Sequence, residues 1–563
     1  MLLPSCQGGG HNLRDQHKTC GANAVVAALK EAGVKCIFSL SGNQIMPVYD
    51  ALLGSGIRLV HVRHEASAVY MAEAWAQLTG QPGVALVTAG AGFGNALGAL
   101  ISAQASESAV LLLSGDSPRA QDGMGAFQEM DQVAMAAPVT KLALRASSAN
   151  ALAAEIGLAL RTAQAGRPGP VHVALPADVL TNPVTVPEMP ALPAPAAHVL
   201  TDAQAQSIAR FLHGAQSPLV LTGPTLSKTR AGTAVNDLEH VLGAPVLCME
   251  SPRGLRDPSL GALLDLTRQA DRILLLGKVP DFTTGFLGQD MGAPGAEFAM
   301  IDPDADMIAR ARSRLGARLH HVAQADMASA VTALLANGGQ PPDRSDWMAR
   351  SREALSRRAK VADSATATAL HPAHVGIEVE AHLARSDRPI LICDGGEFGQ
   401  WMQAIAHDGP RVINGVSGAI GAAPAYAIAA SIAYPDATIC AMMGDGTAGF
   451  LLAEYETAAR ENARFVAVIG NDDCWNAEHQ IQIREYGPDR THACGLSPAV
   501  RYDGAAAALG STGAFVGSGD RAELRAALED AFANTGAVCV NVRVQSAPAP
   551  VVQTAAPASA AVH

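Results

Sequence analysis

The chain has 563 residues, 49% hydrophobic and 16% charged, with a formal charge of -12 at pH 7. That suits three or four domains with large buried cores, and without a basic stripe it argues against a nucleic-acid partner. Nine cysteines, spread from Cys6 to Cys539 with no CxxC pair, point to reduced thiols in the cytoplasm rather than to a disulfide scaffold or structural zinc. Neither a membrane span nor a cleaved leader is expected, because no apolar run is long enough and MLLPSCQGGGHNLRDQ lacks a leader's pattern.

Residues 1–19 read as an N-terminal extension. From 20 to 190, helices alternate with short apolar strands. Residues 21–33 predict a helix, CIFSLSG and RLVHV strands, SAVYMAEAWAQLTG a helix, GVALVTAG a strand, NALGALISAQAS a helix and SAVLLLSG a strand. The alternation predicts a parallel sheet covered on both faces. The proline-rich stretch 187–197 reads as a linker. A second α/β unit is expected over 198–338, with strands PLVLTG, PVLCM, RILLLGK and EFAMID, bounded by Gly338 and Gly339. A third is expected over 355–547, with strands PILICDGG, TICAMMGD, RFVAVIGN and VCVNVRV. Residues 548–563, rich in Ala, Pro and Val, read as a disordered tail. The fold class expected is therefore α/β, with three doubly wound parallel-sheet domains.

The most informative segment is Gly444-Asp445-Gly446, where a strand ends and a helix is expected to begin. Asp472, 27 residues after Asp445, ends the next strand, a gap that fits one strand–helix–strand crossover. If those strands are neighbours, both carboxylates sit at the same sheet edge, where ligands of open α/β sheets bind. Such a pair suits Mg²⁺, a hard ion that takes oxygen ligands and often binds phosphates as well. The glycines and a following helix N-terminus favour a diphosphate. Two other readings stand beside this one. Residues 444–449, GDGTAG, literally match the GxGxxG dinucleotide fingerprint, but the acid expected about 20 residues on comes later here. A purely structural turn is the other.

In the first region, Glu65 follows the strand RLVHV and precedes an apolar helix. A carboxyl there can share a proton with a basic heterocycle; an N-cap or surface acid is the competing reading. TAGAGFGN at 88–95, carrying Gly90 and Asn95, also joins a strand to a helix, as a pocket-lining loop or a tight turn. His61, His64 and His479 show no metal-binding spacing and read as core or pocket residues.

On these residues the chain resembles the thiamine-diphosphate enzymes of the acetolactate synthase and benzaldehyde lyase type, over about residues 20–545. The resemblance implies pyrimidine-binding, central and diphosphate-binding domains, in that order. It implies that Asp445 and Asp472 bind Mg²⁺ by side chain and Cys474 by its main-chain carbonyl. The family often has Asn where Asp472 stands. RHEA at 63–66 matches the segment whose glutamate, here Glu65, shares a proton with the aminopyrimidine. Gly90 and Asn95 would line the same pocket, and Gln128, in AFQEMDQVAMAAPVTK, would face cofactor and substrate. Gly396, Glu397 and Phe398, in DGGEFGQW, would lie near the diphosphate with Gly444, Gly446 and Thr447. Ile420, in NGVSGAIG, would prop the cofactor in its bent form, and the Gly418 carbonyl would accept from its 4′-amino group.

The implied activity is carboligation or lysis of a carbon–carbon bond in small 2-oxo acids or 2-hydroxy ketones. Small carbonyl compounds are then the partners, with a homodimer as the minimal unit within a homotetramer. Substrate markers depart from those of known members. ISAQASESA lacks the adjacent histidines of pyruvate decarboxylase; Ser41-Gly42-Asn43-Gln44 stands where benzaldehyde lyase has a histidine; and WNAEHQIQIREYG differs from the acetolactate synthase segment. Decarboxylation of a 2-oxo acid or acyl-CoA, a NAD-dependent oxidoreductase and a non-catalytic binding subunit remain as alternatives. FAD in the central domain is left open.

Overall fold

The computed structural model describes residues 19–185, 193, 195–361, 366, 368–405 and 409–553. It contains three parallel sheets. The first has strands β1 (Cys36–Ser39), β2 (Arg58–His61), β3 (Gly83–Val87), β4 (Val110–Asp116), β5 (Ala143–Arg145) and β6 (Val171–Pro176), in the order β2-β1-β3-β4-β6-β5. The second has β7 (Pro218–Thr222), β8 (Val246–Cys248), β9 (Arg272–Leu276), β10 (Glu297–Asp302) and β11 (Leu319–Gln324), ordered β11-β10-β9-β7-β8. The third has β12 (Pro389–Asp394), β13 (Arg411–Ile413), β14 (Thr438–Gly444), β15 (Phe465–Asn471), β16 (Thr512–Val516) and β17 (Ala537–Arg543), ordered β13-β12-β14-β15-β17-β16.

The central strands are continuous apolar runs because helices cover both faces. β3, β4, β6 and β15 are buried at every position. The strand order turns back between β1 and β3, between β7 and β9, and between β12 and β14; the first and third sheets turn back again at the other edge, where β5 lies outside β6 and β16 outside β17. At such a switch point the chain leaves neighbouring strands in opposite directions and opens a crevice at their carboxyl ends. This property of the strand order positions everything below.

The first and third sheets share one core. Helices Glu65–Thr79 and Ala423–Ala433 pack face to face, both rich in alanine, so their backbones approach closely. Tyr70 and Tyr426 meet edge to face with ring centroids 5.8 Å apart. At the same contact the buried Glu73 carboxylate accepts from the hydroxyls of Tyr426 (2.9 Å), Ser106 (2.7 Å) and Ser102 (3.2 Å).

Three expectations need correction. The helix expected after the Gly444 turn is a single turn, Asp445–Ala448, and the longer helix begins only at Glu454. Its contribution to anchoring an anion is therefore that of a few exposed N–H groups, not of a full macrodipole. The second unit does not close at Gly338. Helix Ser345–Ser356 returns to it, with Trp347 Nε1 donating to the Pro218 carbonyl (2.8 Å), and Arg344 reaches four carbonyl–guanidinium contacts at the same edge through Leu212, His213, Ala215 and Gly243. The tail expected from 548 is anchored where it starts: the Pro548 carbonyl accepts from Trp401 Nε1 (2.8 Å) and Pro550 is buried. Residues 554–563, 1–18 and most of the 187–197 linker lie outside the described residues.

Candidate active site

The third sheet's crevice lies between the ends of β12 and β14. β12 ends at Asp394, and Gly395 and Gly396, both in the left-handed region (φ 56° and 59°), turn the chain into helix Gly396–Ile405. A Cβ on Gly395 would lie 2.6 Å from Thr447 Oγ1 and 2.9 Å from Ile420 Cγ2, so only glycine fits. That contact brings together three segments singled out in the sequence: the DGG turn, the GDG turn and the NGVSGAIG loop. Asp394 fixes the last of these, its carboxylate accepting from the N–H groups of Gly421 (3.0 Å) and Ala423 (2.8 Å). Gly418 (φ 67°) is exposed on that loop. Glu397 is buried, and Phe398 packs onto the backbone of Gly470 at the end of β15.

β14 and β15 are neighbours with Gly444 opposite Gly470, so Asp445 and Asp472 emerge at one edge. Asp445 is buried and accepts from the N–H groups of Gly446 (2.9 Å) and Cys474 (3.3 Å). Burial pushes its carboxyl up to about 6, and burial together with the neighbouring Asp445 charge pushes Asp472 up to about 8. Among the described residues neither carboxylate has an ion-pair partner; Arg543 pairs with Asp473. Trp475 lies against Gly446 and Phe450 against Gly421, walling the crevice. No cluster of three or more His, Cys, Asp or Glu side chains able to hold a metal occurs among the described residues. A cation here would draw on two carboxylates, with main-chain oxygen and ligand phosphate as the remaining donors.

The first sheet's crevice lies between β1 and β3. Glu65 opens helix Glu65–Thr79 and is buried, with His64 as the N-cap: its Nδ1 accepts from Ala66 N–H (3.1 Å). Asn95 Nδ2 donates to Glu65 Oε2 (3.0 Å), leaving Oε1 beside Gly92. Gly90 (φ 61°) opens helix Ala91–Ala105, and its missing side chain leaves room for Gln128, whose Cβ would be 2.8 Å from a Cβ at Gly90. Gln128 itself has φ 61°, unusual for a residue with a side chain. Its Oε1 accepts from Gln44 Nε2 (2.8 Å), and Gln44 Oε1 accepts from the Thr88 hydroxyl (2.6 Å). Glu65, Gly90, Asn95 and Gln128 thus belong to one crevice. Gln44, Thr88 and Asp394 were not singled out as site residues by sequence reasoning; position at a strand's carboxyl end is the signal that could have found them.

Within one chain the Gly415 loop lies away from Gly90, although the Arg63 and His64 N–H groups beside Glu65 donate to Glu454 Oε1, which follows the Gly444 turn (3.0 and 3.1 Å). Gly415, three residues before Gly418, lies against Ser106, at the far end of the helix that Gly90 opens. Fifteen helical residues separate those ends, about 22 Å at 1.5 Å per residue.

Two family models match the chain. Residues 19–135 match the thiamine pyrophosphate enzyme N-terminal TPP binding domain and residues 394–542 the C-terminal TPP binding domain. Over 547 residues the chain is 32% identical to a probable acetolactate synthase of Mycobacterium bovis, covering 93% of this chain and 96% of that one. The chain belongs to the thiamine pyrophosphate enzymes. It is also 30% identical over 542 residues to a catabolic acetolactate synthase of Raoultella terrigena (90% and 93% covered) and 30% identical over 563 residues to 2-hydroxyacyl-CoA lyase 2 of Homo sapiens (91% and 87% covered). In this thiamine pyrophosphate enzyme the matched domains are those that carry the two crevices. The residues fit the cofactor: a buried and a half-buried carboxylate, neither with an ion-pair partner among the described residues, suit a metal diphosphate, and a buried acid with Oε1 turned to the crevice suits the aminopyrimidine.

Proposed function

We propose that this enzyme joins or cleaves a carbon–carbon bond next to a carbonyl, in small 2-oxo acids or 2-hydroxy ketones, at a site shared by two copies of the chain. The observation that carries the reading is the carboxylate pair at the carboxyl ends of β14 and β15: Asp445, buried, and Asp472, half-buried, neither with an ion-pair partner among the described residues. Asp445, Asp472 and the Cys474 carbonyl would hold Mg²⁺, and N–H groups of the turns at Gly396–Phe398 and Gly444–Thr447 would help hold the diphosphate. When bound, thiamine diphosphate supplies a nucleophilic carbon and an electron sink beside the carbonyl. Glu65 shares a proton through Oε1, because Asn95 occupies Oε2. Ile420, held against Gly395, shapes the crevice floor, and the Gly418 carbonyl would accept from the cofactor's amino group. Gln128 would face the reacting carbonyl.

The separation of Gly90 from the Gly415 loop within one chain supports a second copy as partner, since the pyrimidine half of one copy can then face the diphosphate half of the other. Exposed apolar side chains flank both halves, Met124 and Phe127 at 75% beside Gln128 and Phe450 at 57% beside Gly421, as surfaces that a second copy covers. A homodimer is the minimal unit, within a homotetramer. The contacts at the central switch point do not favour FAD. There the Glu107 side chain packs beside Gly223 and accepts from Thr225 N–H (3.1 Å), while Arg167 bridges Glu107, the Gly277 carbonyl (3.0 Å) and Asp302 (2.7 Å). The GDGTAG segment does not favour a dinucleotide either, as its one-turn helix is followed by a loop. All eight described cysteines are free, which supports a reducing cytoplasm; no helix among the described residues is long and apolar enough to cross a membrane.

The test is a product screen of the holoenzyme with pyruvate, benzaldehyde, benzoin, 2-hydroxyacyl-CoA and a panel of 2-oxo acids, after mass spectrometry of the released cofactor. Acyloin formation or cleavage is expected. Simple aldehyde release with no ligation would assign decarboxylation instead, and a folded protein that binds no thiamine diphosphate would overturn the reading.

A further inference from the structure

We propose that Gln44 and Thr88 are positioning residues that orient the side-chain amide of Gln128, so that its amino group, not its carbonyl, is presented to the reacting substrate oxygen. The proposal rests on the site reading above and adds a direction to it: Gln128 is a hydrogen-bond donor.

The order of the three side chains follows from two distances. Thr88 Oγ1 and the facing atom of Gln44 are 2.6 Å apart. That is usual for O–H···O and short for N–H···O, whose common length is about 2.9–3.0 Å. The Thr88 hydroxyl therefore donates to Gln44 Oε1. An amide has one oxygen and one nitrogen, so Gln44 Nε2 must face the other way, where Gln128 Oε1 accepts from it at 2.8 Å. With its oxygen occupied, Gln128 has two N–H groups left to direct elsewhere.

Each member of the relay is held by its surroundings. Gln44 is 7% exposed, and a Cβ on Gly115 would lie 2.7 Å from its Cβ, so its side chain fills a space left for it. The Thr88 side chain sits against both Gly42 and Gly92, and the same Gly92 position is 3.1 Å from Glu65 Oε1. The relay thus abuts the proton-sharing acid. Gln128 keeps a left-handed backbone (φ 61°) against Gly90, a conformation that persists only where the environment over-determines it.

A donor fixed in advance acts most strongly where negative charge develops. A carbonyl oxygen gains charge as carbon–carbon bond formation begins, so a preset N–H pair stabilises the transition state more than the ground state. The substrate class it selects carries an oxygen acceptor at the reacting carbon or on its neighbour, as 2-oxo acids do. A carboxylate at position 44 would only accept. Gln128 would then turn its amino group toward it and present its own carbonyl to the substrate.

The experiment uses holoenzyme with thiamine diphosphate and Mg²⁺. The probe is whichever of pyruvate, 2-oxobutanoate and benzoylformate the wild type turns over fastest. Gln44→Glu is expected to lower kcat about 100-fold, the size found when one preset donor is lost. Cofactor affinity and the C2–H exchange rate, followed by deuterium NMR, should stay within about twofold, since Glu65 and the metal pair are untouched. Thr88→Val, which lacks the hydroxyl, should lose about tenfold in kcat, and Thr88→Ser should recover most of that. Gln44→Met removes the relay without adding a charge and serves if Gln44→Glu does not fold. Gln128→Glu, an acceptor alone, should lose as much as Gln44→Glu. The proposal falls if the Gln44 variants keep wild-type kcat, if Gln128→Glu is as active as wild type, or if kcat falls only in step with cofactor affinity. A wild type that binds the cofactor but turns over none of the three probes would overturn the substrate reading itself, a result distinct from these.

Discussion

Asp445 and Asp472 have different neighbours, and that difference predicts different mutants. Asp445 is locked by the N–H groups of Gly446 and Cys474, so its geometry is preset. Asp445→Ala should weaken thiamine diphosphate binding at ordinary Mg²⁺ by more than about 100-fold by calorimetry, since losing even an outer partner of a metal ligand costs about 10–100-fold. Asp472 also accepts from the Cys474 N–H but is only half-buried, and burial with the neighbouring Asp445 charge pushes it further up, to about 8. Asp472→Asn should keep turnover, because an amide oxygen still coordinates, and should weaken Mg²⁺ binding by about tenfold in a metal titration; unchanged affinity would remove Asp472 from the coordination sphere. Glu65→Gln should still bind cofactor but slow exchange of the C2 proton by about 100-fold or more, the usual scale of general acid–base catalysis. These three acids were legible in the sequence because each ends or follows a strand beside a turn or helix start, a local pattern. Gln44 and Thr88 were not. A glutamine and a threonine acquire a role only through contacts across residues 44, 88 and 128, which no local pattern records.

Helices Glu65–Thr79 and Ala423–Ala433 join the two cofactor-binding domains, and a buried acid sits in their contact. Burial raises the Glu73 carboxyl to about 7 from 4.5, and burial raises Asp394 to about 7 from 3.8. For both, the folded state holds the proton more tightly than the unfolded chain. Their stabilising contribution is complete below the unfolded values and is lost as pH rises from about 4.5 through about 7. Glu73→Gln keeps the shape and removes the titration, so the drop in stability between pH 5 and pH 8 should shrink by up to a few kcal/mol, read from urea midpoints at both pH values. An equal drop in wild type and variant would show that Glu73 does not titrate there. The same scale shows why some elements escaped sequence reading. β5, β11, β13 and β16 are short or lie at sheet edges, half-exposed at many positions, and lack the long apolar run of β4 or β15. Helix Ser345–Ser356 lies beyond a Gly-Gly pair that reads as a boundary, yet Trp347 and Arg344 tie it back to the central unit.

For the whole molecule, the shared site makes a prediction that no single substitution tests. Inactive Glu65→Gln protein and inactive Asp445→Ala protein are mixed under conditions that exchange subunits. In mixed dimers one of the two sites then carries both substitutions and the other neither, so up to about half of the wild-type activity should return to that population. Verified exchange with no recovery, while wild type survives the same treatment, would place both halves of each site in one chain.

The alternation of strands and helices, the three units and the acids at strand ends could be read from the sequence alone, because each is a pattern a few to some thirty residues long. Burial on both faces demands apolar runs, and a ligand at a sheet edge demands glycine and carboxylate at strand ends. The strand order was not legible, and the switch points that gather Asp394 with Asp445, and Gln44 with Thr88 and Gln128, exist only once that order is set. Nor did any local pattern show that Gly90 and the Gly415 loop of one chain lie apart. That separation comes from the packing of two alanine-rich helices and from the length of helix Ala91–Ala105, which puts Gly90 at one end and the Gly415 loop at the other. It is a consequence of non-local packing, which depends on all the surfaces at once.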